Sequence, residues 1–262
     1  MTTHSPSPRD TQAQFGRQAR HFAESALHRQ GESLETVRQL AAVRPGELVL
    51  DVGTGAGFTA FALAPEAAIV LATDLTPEML RETRRLAGER GLSAKVALGL
   101  AVAEALPFRD ATFHVVVSRY ATHHFHDLPT ALREFARVVR PDGRVVICDV
   151  VAPESEALTA LMNRWEQRRD PTHVWDYPPS QWQRQLLPAA GLVVERVVPG
   201  KNPQVFRQWI ERAGTPAAVA DELAAEFLAA SPEAQRAFEI RQADGEILFS
   251  WDNVTILARR AP

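Results

Sequence analysis

The segment Val49-Leu-Asp-Val-Gly-Thr-Gly-Ala-Gly-Phe58 runs an apolar strand straight into three alternating glycines and then into a helical pattern. Glycine permits the positive φ of such a turn and lets a ligand approach the backbone with no Cβ in the way. Asp74 closes the next apolar run about 20 residues on, the position from which a carboxylate accepts bonds from ribose hydroxyls. Loop and acid together point to a nucleoside-containing ligand. The plain structural alternative is a glycine turn followed by an Asp-Leu-Thr-Pro turn, and the shared spacing weighs against it. A dinucleotide fingerprint would place its third glycine at position 58, where this chain carries Phe58, so a nicotinamide ligand is disfavoured.

Around this unit, helical patterns alternate with short β-branched runs from about Glu35 to Val151, the rhythm of βαβ crossovers and a parallel sheet. Strands are expected at Leu48–Val52, Ala68–Thr73, Lys95–Leu98, Phe113–Ser118 and Arg144–Val150, with helices at Phe58–Leu63, Pro77–Glu89 and Pro129–Val139. Pro77 suits a first helical turn with Thr76 as its N-cap, and Pro141-Asp142-Gly143 is turn chemistry before a strand. After Val151 longer helical stretches (Glu154–Arg168, Pro179–Ala190, Pro203–Ala213, Ala217–Ala230, Pro232–Ile240) surround one strand, Leu192–Val198, and a last strand covers about Glu246–Ala258. The chain divides accordingly into an N-terminal helical cap (1–42), an α/β core (43–200) with a helical insertion near 153–190, a helical lid (201–243) and a final core strand (244–262).

Charge and cysteine content narrow the class. Twenty-nine basic and thirty-two acidic residues leave a net charge of −3 without a Lys/Arg run, which gives little field for a phosphate backbone, so no nucleic-acid partner is expected. No apolar stretch approaches the roughly 18 residues of a spanning helix, and the first residues lack an apolar signal core, so the expectation is a cytoplasmic chain with no membrane partner. Cys148 is the single cysteine, and no His/Cys cluster offers a zinc site, so no metal is expected.

The segments Asp51–Gly57, Thr73–Leu80, Ala103–Phe108, Phe113–Ser118 and Val138–Gly143, taken in this order, resemble class I S-adenosylmethionine-dependent methyltransferases, most closely the small-molecule branch that includes the quinone-biosynthesis UbiE-type enzymes. The likeness extends to Gln14-Phe15-Gly16, Ser25, His28 and Gly31, and to Arg169–His173 with Trp182, so that it covers nearly the whole chain. It implies a Rossmann-like, doubly wound, seven-stranded sheet with the last strand antiparallel and helical cap segments over it. It also implies S-adenosylmethionine as cofactor and S-adenosylhomocysteine as product. By the same resemblance Gly53, Gly55 and Gly57 face the cofactor's methionine and ribose, with Asp51 beneath them orienting the loop. Asp74 binds the ribose, Leu75 flanks the adenine, Val102, Ala103 and Glu104 meet the adenine edge, and Ser118 completes the set. Relatives commonly carry Asp where this chain has Val102; backbone groups around Ala103 remain available to the ring.

Methyl transfer from a sulfonium is an in-line displacement that needs positioning and no metal, and a base helps where the acceptor must lose a proton. Ser118–Asp127 follows the fourth strand, at the carboxyl edge where doubly wound sheets bind ligands. His123 and His124 are the candidate bases because histidine titrates near neutrality; either could instead pack the turn against the sheet. Arg119 and Tyr120, with Arg169, His173, Tyr177, Phe15 and Phe22, are the candidate acceptor-site residues. The reading is a methyltransferase acting on a small molecule, with a homodimer left open. Its rivals are a protein of the same fold that binds S-adenosylmethionine or S-adenosylhomocysteine for another reaction, and a non-catalytic binding module.

Overall fold

The computed structural model describes the backbone of residues 6–24 and 31–261 and the side chains of residues 6–20 and 31–261; Phe22, Ser25 and His28 lie outside the described side chains. Four parallel strands, β1 (Leu48–Val52), β2 (Ile69–Asp74), β3 (Val96–Leu100) and β4 (Phe113–Arg119), continue into β5 (Val139–Val151), β6 (Leu192–Val205) and β8 (Glu246–Arg260). Their order is β3-β2-β1-β4-β5-β8-β6, with the short β7 (Arg241–Ala243) pairing only with β8. β5 runs parallel to β4, whereas β8 is antiparallel to both β5 and β6. Seven strands thus form the main path, as expected, and β7 adds an eighth. The order reverses between β1 and β4, and at such a switch point the crossover helices leave on opposite faces and open a crevice above the strand ends.

Period-2 alternation in β4 assigns its valines to both faces. Val116 packs with Leu50, Val145 and Ile147 under the Leu128–Val138 helix, while Val115 and Val117 pack with Val49, Val70 and Val146 on the opposite side. That opposite side is covered by the Phe58–Leu63 and Pro77–Glu89 helices and by the Glu32–Ala41 helix, whose Val37, Leu40 and Ala41 are buried against the sheet. The N-terminal cap of 1–42 is therefore corrected: among the described residues the Pro8–Glu24 helix lies over the strand ends, whereas Glu32–Ala41 presents an apolar stripe that the sheet face buries.

Two boundaries shift for backbone reasons. β6 continues past residue 200 to Val205, so the following helix begins at Phe206 rather than Pro203. β6 is the last strand in the order, and its Pro199 and Pro203 need donate to no neighbour on the outer side. The helical stretch 179–189 opens into a π turn, with the Leu187 N–H bonded to the Trp182 carbonyl, where Pro188 withholds a backbone donor. Pro141–Gly143, expected as a turn, is instead carried inside β5 as an irregularity in the ladder, Phe113 pairing with Val139 and Val115 with Arg144.

A third core lies beyond the sheet. Trp165, Trp209, Trp251, Phe227, Phe238 and Phe249 bury one another between the Glu156–Arg169, Phe206–Ala213 and Ala217–Leu228 helices and the start of β8. Glu166 sits among them, its Oε1 accepting the indole N–H of Trp209 at 3.1 Å and of Trp251 at 2.6 Å. Among the described residues no helix is long and apolar enough to cross a membrane.

Candidate functional site

The carboxyl ends of the four parallel strands open into a cleft of about 940 Å³, lined among others by Val52 (β1), Asp74 (β2), Ala101 (after β3) and Arg119 (β4). Gly53, Gly55 and Gly57 all have positive φ (71°, 55° and 88°), yet they serve different ends. A Cβ on Gly53 would fall 2.6 Å from that of Ala121, and one on Gly57 would fall 2.6 Å from the Phe61 ring; on Gly55 it would meet nothing within 4 Å. Gly55 is the open rim of the cleft, and Gly53 beside it also lines the space. Gly57 does not line it, a correction that follows from its role as the left-handed residue starting the Phe58–Leu63 helix against Thr83.

Asp74 ends β2 on the cleft floor. Its Oδ2 accepts the Gly55 N–H at 2.9 Å and its Oδ1 the Thr76 N–H at 2.8 Å, so the acid ties the glycine loop to the start of the Pro77–Glu89 helix. Burial pushes its carboxyl above the usual range, against the pull of these backbone donors. Thr76 itself makes no side-chain cap. Asp51 lies beneath the loop and off the cleft wall. Its Oδ2 accepts from Thr54 Oγ1 at 2.6 Å, and burial raises it to about 6 against the pull of Thr54 and Arg119. Leu75, Met79, Val102, Phe125 and Ala103 form an apolar wall beside Glu104. Ser118 is corrected: it is fully buried, donates to the Val52 carbonyl at 2.9 Å and joins two strands rather than reaching the cleft.

Behind the cleft lies a second, polar pocket of about 640 Å³, and Phe15, Tyr120 and His124 line both. His123 and His124 stand on the short turn after β4 and differ sharply. His123 Nδ1 is 2.7 Å from Asp149 Oδ1, and Asp149, buried on β5, also accepts from the Thr122 N–H at 2.8 Å and the Thr122 hydroxyl. Burial alone would lower His123, but the charge and hydrogen bond of Asp149 outweigh it and hold the imidazole up at about 9. His124 is pushed down to about 4 by burial and by the charge of His123. Its Nδ1 lies 3.1 Å from the Thr172 carbonyl, which can only accept, so Nδ1 carries the proton and Nε2 offers a lone pair. The Phe15 ring meets the His124 ring edge-on at 4.7 Å.

Arg169 enters the second pocket between Glu166 Oε2, 3.0 Å from its Nε, and the Trp209 ring, 5.1 Å from its guanidinium carbon. His173 is buried there, its Nε2 donating to Asn163 Oδ1 at 2.9 Å, and burial lowers it well below the usual range. Arg119 lines the first cleft and donates through Nε to Thr59 at 3.0 Å. Tyr120, at φ 54°, accepts from Asn253 Nδ2 at 3.3 Å. Tyr177 is corrected: its ring packs on the sheet core and edge-on to Trp182, so it lines neither space. His123, Asp149 and Asp176 offer ligand atoms within 4.8 Å of one another. His123 Nδ1 and Asp149 Oδ1 are hydrogen-bonded to each other there, and a cation would have to displace that bond.

Several lining residues stand outside the expected site set: Glu166, Asp176, Asn202, Gln204 and Arg212 in the second pocket, and Thr11 in the first. Asn202 and Gln204 share one face of β6, a period-2 signal concealed by reading Pro203 as a helix start.

A methyltransferase-domain family profile matches residues 50–147. The chain is 35% identical over 224 residues, 86% of its length and 88% of the relative's, to the uncharacterized methyltransferase YcgJ of Bacillus subtilis. The crystal structure of that YcgJ superposes with a TM-score of 0.83 over 88% of this chain and 98% of the other. A demethylmenaquinone methyltransferase of Corynebacterium kroppenstedtii is 31% identical over 129 residues, 49% of this chain and 53% of its own. Geranyl diphosphate methyltransferase, solved in complex with S-adenosylmethionine, shares the fold at a TM-score of 0.59 and 17% identity, covering 88% of this chain and 84% of that one. Fold, glycine loop and sequence likeness together make this chain a member of the class I S-adenosylmethionine-dependent methyltransferases. Within the class its curated relatives include enzymes of the UbiE type.

Proposed function

We propose that this methyltransferase binds S-adenosylmethionine in the cleft over Gly53, Gly55 and Asp74 and methylates a small molecule held in the polar pocket behind it. The observation that carries the reading is the junction of the two spaces: the glycine cleft and the 640 Å³ pocket meet at Phe15, Tyr120 and His124. The cleft fits the cofactor on chemical grounds, with an unobstructed backbone at Gly55, a carboxylate at Asp74 for ribose hydroxyls and an apolar wall from Leu75 to Val102 for a flat ring. When bound, S-adenosylmethionine supplies a sulfonium methyl for in-line displacement.

The remaining work falls to the chain. Phe15 and Tyr120 bound the passage and exclude water, which strengthens the electrostatics inside it. His124 is the base of the pair: it is uncharged at neutral pH and presents the Nε2 lone pair, while His123 is held protonated by Asp149 and cannot accept. His123 is a positioning residue, its charge setting that of its neighbour. A pocket that joins the cofactor cleft behind the strand ends supports a small acceptor, and the printed name of one curated relative, a demethylmenaquinone methyltransferase, points the same way.

Calorimetric titration with S-adenosylmethionine, S-adenosylhomocysteine and NADH tests the cofactor. Micromolar binding of the two adenosyl ligands with none of NADH is expected. No binding of either would sink the proposal. Release of S-adenosylhomocysteine over a panel of small acceptors then tests transfer.

A further inference from the structure

Three cationic side chains face the second pocket, Arg169, His123 and Arg212. Arg169 is paired with Glu166 and His123 with Asp149. Arg212, from the Phe206–Ala213 helix, has no carboxylate at ion-pair distance among the described residues, and its hydrogen bond there goes to Gln204 Oε1. Of the acids lining the pocket, Glu166 Oε1 takes two indole N–H groups, Asp170 Oδ1 takes the Thr172 amide and hydroxyl, and burial pushes the Asp176 carboxyl well above its usual range. Burial and the like charge of Arg169 lower Arg212 to about 10, against the weaker pull of the more distant Glu166.

The donor-only guanidinium also fixes its neighbours. Because Arg212 must donate, the atom it meets on Gln204 is the oxygen, and Gln204 Nε2 then donates to Asn202 Oδ1 at 2.8 Å. Asn202 is left presenting Nδ2, a donor without a partner among the described residues. The wall formed by Arg212 and Asn202 is thus a donor surface around a guanidinium that no described carboxylate meets at ion-pair distance.

We propose that the methyl acceptor carries a carboxylate and that Arg212, with Asn202 beside it, binds that group. This rests on the reading of the second pocket as the acceptor site. A planar two-oxygen anion matches the guanidinium fork, and in a half-dry pocket an uncharged amide of the same shape leaves the arginine unpaired. A molecule anchored at Arg212 remains in the same pocket as His124, where the cleft begins.

The test uses the full chain saturated with S-adenosylhomocysteine, titrated calorimetrically with benzoate, benzamide and inorganic phosphate. Benzoate is expected to bind at least about tenfold tighter than benzamide or phosphate, a charge-assisted pair against a neutral one. Arg212→Met and Gln204→Glu should each erase the preference, the second by supplying an internal carboxylate to Arg212, with affinity for S-adenosylhomocysteine unchanged. If Arg212→Met fails to fold, Gln204→Glu carries the test alone. Equal or undetectable binding of benzoate and benzamide overturns the proposal, as does a preference that survives in Gln204→Glu; phosphate binding as tightly as benzoate overturns the assignment to carboxylate. Failure of the unaltered chain to bind S-adenosylhomocysteine overturns the methyltransferase reading and this inference with it, and is seen before any carboxylate is added.

Discussion

His123 Nδ1 and Asp149 Oδ1 lie 2.7 Å apart, joining the turn after β4 to the adjacent strand β5. Asp149 is 2% exposed and accepts from both the backbone and the hydroxyl of Thr122, so the carboxylate is held charged from several sides. The charge of His123 lowers Asp149 against burial, and Asp149 raises His123 against burial. The pair therefore sets the proton arrangement of the whole pocket: a charged His123 suppresses the charge on His124 and on His173.

Replacing Asp149 by Asn should let burial win at His123. Its folded value is raised from 6.5 to about 9, so its contribution to stability is complete below pH 6.5 and is lost as pH rises through about 9. At about 1.4 kcal/mol per unit the contribution is of order 3 kcal/mol. Urea unfolding should show the deficit of Asp149→Asn to be largest near pH 6 and to shrink toward pH 10. A deficit independent of pH would remove the charge from the argument.

His124→Ala should slow turnover by roughly 10²-fold while leaving the affinity for S-adenosylhomocysteine intact. Because His124 is lowered to about 4, the acid limb of the rate profile should fall near pH 4 and no inflection should appear near 6.5. Asp149→Asn removes the neighbouring charge, so in that variant the limb should move toward higher pH. A limb that stays in place would separate the two histidines.

Asp74→Ala should weaken S-adenosylmethionine binding at least tenfold, since charge-assisted bonds to two hydroxyls contribute about 1.5–3 kcal/mol. The substitution also frees the Gly55 and Thr76 N–H groups, so the loop itself should loosen. Calorimetry reads the first effect and amide hydrogen exchange at Gly55 the second. Unchanged affinity would remove Asp74 from the ribose site.

The glycine loop, the parallel strand order and Asp74 were legible because they depend on local chemistry: φ, period and sequence spacing. Asp149 was not, since it lies inside an apolar strand pattern and becomes polar in function only when β5 comes to lie beside the turn after β4. Arg212 and Gln204 come together through the junction of β6 with the next helix, and Pro203 pointed to the wrong element there. Ser118 and Tyr177 were misassigned for the opposite reason. Each sits near the site in sequence but is consumed by packing or by a strand-to-strand bond, and the direction of a side chain follows from tertiary contact. Val102 lines the cleft, beside the backbone turn that the Ala105 N–H closes on its carbonyl.

Glu166 holds the aromatic cap to the second pocket, accepting from Trp209 and Trp251 and facing Arg169. Glu166→Leu would leave two buried indole donors without their acceptor and the Arg169 guanidinium without its nearest carboxylate, so a loss of about 3–5 kcal/mol is expected. The chain should unfold at lower urea with an altered tryptophan spectrum. Glu166→Gln keeps an acceptor for the indoles and should lose less, and equal losses would locate the effect in volume rather than charge.

Gly55→Ala and Gly57→Ala should separate binding from folding. At Gly57 the new Cβ meets Phe61 at 2.6 Å and Thr83 at 2.7 Å, and both are packed, so the backbone must shift and stability should fall by 2 kcal/mol or more, roughly the cost of overpacking plus a left-handed alanine. At Gly55 nothing lies within 4 Å, and the left-handed φ of 55° alone should cost about 1–2 kcal/mol. The methyl would project into open space at the rim of the cleft, where close backbone approach matters. Gly55→Ala should therefore fold and lose S-adenosylmethionine affinity out of proportion to its loss of stability. Thermal unfolding and calorimetry on the same preparations read both quantities, and an alanine at 55 that binds as the parent does would move the cofactor away from this loop.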